Sequence, residues 1–184
     1  VRRPVAVPPG GHRLAETDHM LTVGVGAALC VCARDPDTGI GGVCHFLLPV
    51  EGAVRDAWSG TAAARAMRLG NLAVEHLLTD IHKRGGTRHR LEVAVVGGAL
   101  VHEDTHGAAR AGVEVMRRYL AIEGFRAVRE EIGGNHARQI AFVPETGHLR
   151  VTAASPRRTH EIVAWELQAV RHPTPPLVMD IELF

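Results

Sequence analysis

The chain has 184 residues, 46% of them apolar and 22% charged, with a formal net charge of +1. That composition fits one soluble globular domain, large enough to bury a core. A balance so near neutrality gives no global argument for nucleic acid or a membrane surface, and no apolar run approaches the ~20 residues of a membrane span.

Residues 1–13 are rich in Pro, Gly and Arg and predict a flexible N-terminal arm. No signal-peptide pattern opens the chain, which points to a cytoplasmic protein. Thr22 to Pro49 reads as two strands joined by a turn. Small and β-branched residues from Ala28 to Ala33 suit a buried strand. Asp35-Pro36-Asp37-Thr38-Gly39 is turn chemistry, and Ile40 to Leu48 returns. Such a hairpin carries His45 back beside Gly26-Ala27-Ala28. The segment also holds all three cysteines, Cys30, Cys32 and Cys44, which read as small buried core residues rather than a disulfide framework.

Glu51 to Gly60 reads as a loop. Ser59 or Thr61 caps a helix running to about Lys83, with Leu69, Ala73 and Leu77 at i, i+4 and i+8 and Gly85-Gly86 as its stop. Leu91 to Gly97 is a near-continuous apolar strand. A second helix runs from about Ala108 to Glu123, with Val113, Met116 and Leu120 on one face. Phe125 to Glu131 is a strand, and Arg138–Val143 with His148–Ala153 form a hairpin around Pro144-Glu145-Thr146-Gly147. Val163, Trp165, Leu167 and Ala169 alternate, which predicts an added strand. Met179 to Phe184 reads as a tail packed on its own domain, with an extended docking peptide as the alternative. The order of elements predicts an α/β sandwich with a mixed β-sheet and two main helices.

His102-Glu103-Asp104-Thr105-His106 spells the zinc-peptidase pattern H-E-x-x-H. That pattern binds metal when i and i+4 place both imidazoles on one helix face. Here a strand runs directly into it, and Asp104, Thr105 and Gly107 are poor helix formers, so a loop is expected and no metal site. Lys83 to Arg90 reads as a solvated basic turn. Gly24-Val25-Gly26 lacks the third glycine and the acidic residue of a dinucleotide loop.

Thr22, Gly26, Asp35-Pro36, Gly41-Gly42 and His45-Phe46-Leu47-Leu48-Pro49 together resemble the CheD family, the receptor-modifying glutamine deamidases of bacterial chemotaxis. Val96-Gly97-Gly98-Ala99 looks like the family's F-G-G-A. Ile132-Gly133-Gly134 followed by Arg138, Ile140 and Phe142 looks like its L-G-G-x-x-x-R-x-V-x-F. Two motifs are eroded, surviving as Arg68-Leu69-Gly70-Asn71-Leu72-Ala73 and His106-Gly107-Ala108-Ala109-Arg110. The family's nucleophilic Cys falls on Ala28. An engineered Cys→Ala change and a natural loss would leave the same sequence.

The resemblance implies a deamidase domain over residues 14–155 and a C-terminal extension over 156–184. It implies acyl transfer on a glutamine side chain. A thiolate at position 28 attacks the carboxamide carbon, with His45 as base, Thr22 orienting the imidazole, and backbone N–H groups of Gly26, Ala27 and Leu29 holding the oxyanion. With Ala28 this chemistry stops at its first step. Cys30 lies about 6–7 Å further along the same strand face, and Cys44 points away from the His45 face. The implied partners are chemoreceptor cytoplasmic helices and a CheC-like phosphatase, with no cofactor. A catalytically silent scaffold binding the same helices is the alternative, and a zinc hydrolase using His102 and His106 a distant third.

Overall fold

The computed structural model describes residues 2–47 and 62–171. Nine strands fall into two sheets, each of them mixed. The first has the order β1 (Arg3–Ala6), β3 (His19–Val25), β8 (Arg138–Val143), β9 (His148–Ala153). The second runs β2 (His12–Leu14), β5 (Gly41–Phe46), β4 (Leu29–Arg34), β6 (Glu92–Gly97), β7 (Ala127–Ile132). Three helices complete the described chain: α1 (Ala62–Lys83), α2 (His106–Ile122) and α3 (Pro156–Arg171).

Strand alternation builds two cores from one central sheet. Leu29, Val31, Ala33 and Cys44 face α1 and α2, where Leu77, Ile81, Met116 and Leu120 close the first core. Cys30, Cys32 and Val43 face the other way and meet Leu21, Val23, Val25, Ile140 and Phe142 of the first sheet. The α/β sandwich expected from the element order is therefore present, as two sheets packed face to face with α1 and α2 over the second and α3 against β3 of the first. All three cysteines are buried and free, as expected of core residues.

The β4–β5 hairpin matches its expectation, in register from Leu29↔Phe46 to Arg34↔Gly41. Its turn is anchored by Asp35, which is fully buried and accepts bonds from Arg90 Nη2 at 2.6 Å, Thr87 N at 2.7 Å and Asp37 N at 3.0 Å. Arg90 above all holds this carboxyl well below the usual range. The basic turn thus supplies a structural ion pair.

Two expectations need correction, and one strand was not anticipated. Residues 1–13 are not a loose arm: β1 pairs in parallel with β3, and β2 pairs with β5. Pro4 lies within β1, a sheet-edge strand, where a missing N–H is tolerated. The strand β3 was not anticipated, although Leu21, Val23 and Val25 alternate along it on the buried face. The second correction is the added strand expected from Val163, Trp165, Leu167 and Ala169, which is helix α3. Ser155-Pro156 is a helix start: Arg158 N donates to Ser155 Oγ at 3.3 Å, and Pro sits at the first helical position. The buried pair is Ile162 and Glu166, an i, i+4 spacing that is helical rather than alternating, while Val163, Trp165, Leu167 and Ala169 are all half-buried. The loop at Glu51–Gly60, the Ser59 or Thr61 cap and the terminal Met179–Phe184 lie outside the described residues.

Candidate active site

Between β3 and β4 the chain turns through Gly26, Ala27 and Ala28, and the backbone of that turn is fixed from one side. Gly98 N donates to Ala28 O at 2.9 Å and Ala99 N to Gly26 O at 2.8 Å. Gly97 can be nothing larger. Its φ is +127° and a Cβ there would sit 2.0 Å from Ala28 O. The Gly133-Gly134 motif braces this arrangement in turn, through Gly133 N to Gly97 O at 2.9 Å and Leu100 N to Gly134 O at 2.8 Å. Both glycine motifs singled out in the sequence thus converge on one turn.

With their carbonyls engaged, the amide groups of the turn face the other way and share one acceptor. Glu166 Oε1 accepts from Gly26 N at 2.8 Å and Ala28 N at 2.9 Å, while Oε2 accepts from Ala27 N at 2.9 Å. The carboxylate is fully buried. Burial pushes its pKa up, and the three N–H bonds only partly oppose that. A Cβ on Gly26 would lie 2.8 Å from Glu166 Oε2 and 2.9 Å from Val101 Cγ2, so glycine is what lets the carboxylate approach. Leu29, also expected as a donor, opens β4 in register with Phe46 and Gly97 and is not one of the three donors to Glu166.

His45 pairs across β4–β5 with Cys30, so it projects to the sheet face of position 30 and, two residues back, of position 28. It is 1% exposed, and neither ring nitrogen has a hydrogen-bond partner. Desolvation lowers its pKa to about 4, which leaves a neutral imidazole. Trp165 covers it, with ring centroids 5.4 Å apart and planes inclined at 47°. Beside the pair is a cleft of about 160 Å³ lined by Val7, Gly24, His45, Arg158, Ile162 and Trp165. Thr22 shares the Gly24 side of β3 by alternation, but it makes no bond to the imidazole in this arrangement.

Residue by residue, the structure brings Gly26, Ala27 and Ala28 into one donor set, with His45 opening on the adjoining cleft. Sequence reasoning missed Trp165 and Glu166. The signal was available in Ser155-Pro156 and in the spacing of Ile162, Trp165, Glu166 and Ala169. The H-E-x-x-H segment is split as expected: His102 is extended at φ −153°, Glu103–Thr105 form a 3-10 turn, and His106 is the first residue of α2. The two imidazoles therefore do not share a helix face. Among the described residues, the group close enough to share an ion is Glu16, Asp18 and His19 at the start of β3, where Arg3 Nη2 already lies 2.6 Å from His19 Nε2. No helix among them is long and apolar enough to cross a membrane.

Comparison with known proteins gives this cleft a family. Residues 47–153 match the family model described as CheD chemotactic sensory transduction. Proteins named probable chemoreceptor glutamine deamidase CheD match at 36% identity in Hahella chejuensis, over 77% of this chain and 65% of the relative. The Caulobacter vibrioides relative is 33% identical over 94% of this chain and 88% of its own length. The Halorhodospira halophila relative is 30% identical over 96% of this chain and 82% of its own. Coverages of 94% and 96% leave too few residues unmatched to exclude α3, so its segment lies within the span shared with those two. Against others the chain spans about half the relative's length, 54% for Burkholderia vietnamiensis. On the family match and the relatives matched nearly end to end, the chain belongs to the CheD family.

Proposed function

We propose that the Gly26–Ala28 turn and His45, with the cleft that His45 and Trp165 line beside them, form a protein-glutamine deamidase site, of the kind the relatives' names ascribe to them, directed at chemoreceptor helices. The observation that carries this reading is the set of three N–H donors, from Gly26, Ala27 and Ala28, that converge on one carboxylate. A turn held on its far side by the bonds to the Gly26 and Ala28 carbonyls presents its three amides as a rigid donor group, which is what a tetrahedral oxyanion requires. His45 is neutral and so available as a base.

In an active site of this design, a thiol at position 28 loses its proton to His45 and attacks the carboxamide carbon. The C=O electron pair moves onto oxygen, facing the amides of Gly26, Ala27 and position 28. Collapse expels ammonia, with the proton supplied by His45, and leaves a thioester. Water then adds, and the thiolate leaves to give glutamate. Thr22 would orient the imidazole once the ring turns toward β3. With Ala28 no carbon–sulfur bond can form, so this chain retains the donor group and the base without turnover.

A second reading follows from Glu166, which already fills the donor group: the chain is a silent scaffold that binds receptor helices, or a CheC-like phosphatase, through the same cleft. Restoring the thiol separates the two. The Ala28→Cys chain, incubated with a helical receptor fragment carrying glutamines, should release ammonia and convert specific glutamines to glutamate. Binding of the fragment without conversion would favour the scaffold. Neither binding nor conversion would remove both readings.

A further inference from the structure

The carboxylate of Glu166 shows which ligand the amide turn prefers. Three donors meet two oxygens: Oε1 takes Gly26 N and Ala28 N, and Oε2 takes Ala27 N. A glutamine in that place satisfies two donors with its carbonyl oxygen and then turns its NH₂ toward the third. Two donors would face each other in a fully buried site, and neither would have a partner. The turn thus prefers a carboxylate to the corresponding amide.

The rest of α3 behaves as a docked helix around that anchor. Ile162 packs over Gly24, where even a Cβ would come within 2.9 Å of Ile162 Cδ1. Trp165 lies on His45. Ile162, Trp165 and Glu166 stand at i, i+3 and i+4, so one helical face delivers an apolar anchor, an aromatic cover and an acceptor together.

We propose that the Gly26–Ala28 turn is a binding site for a glutamate side chain carried on a helix, and that α3 is its internal occupant. A partner helix presenting glutamate at the corresponding position enters by displacing α3, and the same helix presenting glutamine does so more weakly. The inference rests on the functional reading above for treating this turn as the substrate end of the cleft. It deepens that reading by giving the turn a higher affinity for the deamidated form of a helical target than for the amidated one.

The test uses the full chain carrying Glu166→Ala and two synthetic helical peptides of the residue 156–171 sequence, one unaltered and one with glutamine at position 166. The glutamate peptide should bind this variant at least about tenfold more tightly than the glutamine peptide, since the latter leaves a buried donor unmet. Its binding should shift the amide resonances of Gly26, Ala27 and Ala28. The unaltered chain, with its own Glu166 in place, should bind the glutamate peptide at least about tenfold more weakly than the variant does. Should Glu166→Ala fail to fold, Glu166→Gln keeps the size of the side chain and carries the same comparison. Equal affinities for the two peptides, no binding of either, or binding that leaves the three amides unmoved would each overturn the proposal. Failure of the Ala28→Cys chain to deamidate would sink the enzyme reading and leave this peptide preference standing, so the two failures are distinguishable.

Discussion

Trp165 lies across His45, and between them these two residues decide whether the candidate base meets solvent. Their ring centroids are 5.4 Å apart, and the imidazole is 1% exposed with both nitrogens unpaired. A buried imidazole with no partner titrates low because nothing offsets the cost of charging it. Trp165→Ala should therefore raise the His45 pKa from about 4 toward the ordinary value of about 6.5. A proton NMR titration of the ring reads this directly, and an unmoved pKa would mean that elements other than α3 bury the histidine.

The same burial carries a pH dependence of stability. The folded chain binds the His45 proton near pH 4, and the unfolded chain near about 6.5. Between those values the unfolded state holds more protons. The contribution of neutral His45 is thus complete above about 6.5 and falls by up to ~3 kcal/mol as pH drops toward 4. Glu166, whose pKa is raised, acts in the opposite sense: its contribution declines as pH rises through its folded value. Urea unfolding of the unaltered chain against His45→Gln isolates the first effect. The stability difference between them should shift toward the variant as the medium is acidified from pH 7 to 4.

Far from the cleft, Asp35 should prove one of the most sensitive positions. Its carboxylate is fully buried, and Arg90 at 2.6 Å is 31% exposed. Asp35→Ala leaves the Thr87 and Asp37 amides and the guanidinium without their acceptor, at a cost of about 3 kcal/mol. A urea midpoint shift with an unchanged slope would show loss of stability without change in compactness. A loss under about 1 kcal/mol would mean that water replaces the carboxylate.

Much of this architecture was legible in the chain. The hairpin bearing His45, the strand before Gly97 and the helix before Gly124 are strong local signals: turn chemistry, an unbroken apolar run and helical spacing with a glycine stop. The N-terminal strands were not, because β1 and β2 are short edge strands whose pairing comes from partners rather than from their own composition. Helix α3 failed for a different reason. Its Val163, Trp165 and Leu167 alternate by accident, while the residue that decides its placement, Glu166, is polar and escapes any apolar count. A buried carboxylate matched to three backbone donors is a tertiary relation, and only the turn at Gly26–Ala28 gives it meaning.

That relation alters what a restored thiol should do. Cys30 and Cys44 are buried, and burial together with neighbouring thiols pushes their pKa values up, so background labelling should be slow. A thiol at position 28 lies beneath Glu166, whose negative charge opposes the thiolate and whose helix blocks the approach. Ala28→Cys alone should therefore alkylate slowly near neutral pH, and Ala28→Cys with Glu166→Gln at least about tenfold faster. Equal rates would show that α3 does not guard the position.

Turnover should follow the same order. In the Ala28→Cys chain, deamidation of a receptor fragment requires α3 to leave before a glutamine can reach the three amides. Adding Glu166→Gln should raise kcat/KM, acting mainly through KM, because it weakens an internal competitor without touching the thiol or His45. His45→Ala in that background should cut kcat by about 100-fold or more, as expected when the base of a thiol is removed. Thr22→Ala tests whether the imidazole turns to β3 in the open form. A kcat loss of about tenfold or more with unchanged peptide affinity would place Thr22 in the working site, since a residue that only positions the base moves the chemical step and not binding. An unchanged kcat would leave Thr22 as a strand residue and His45 without an orienting partner.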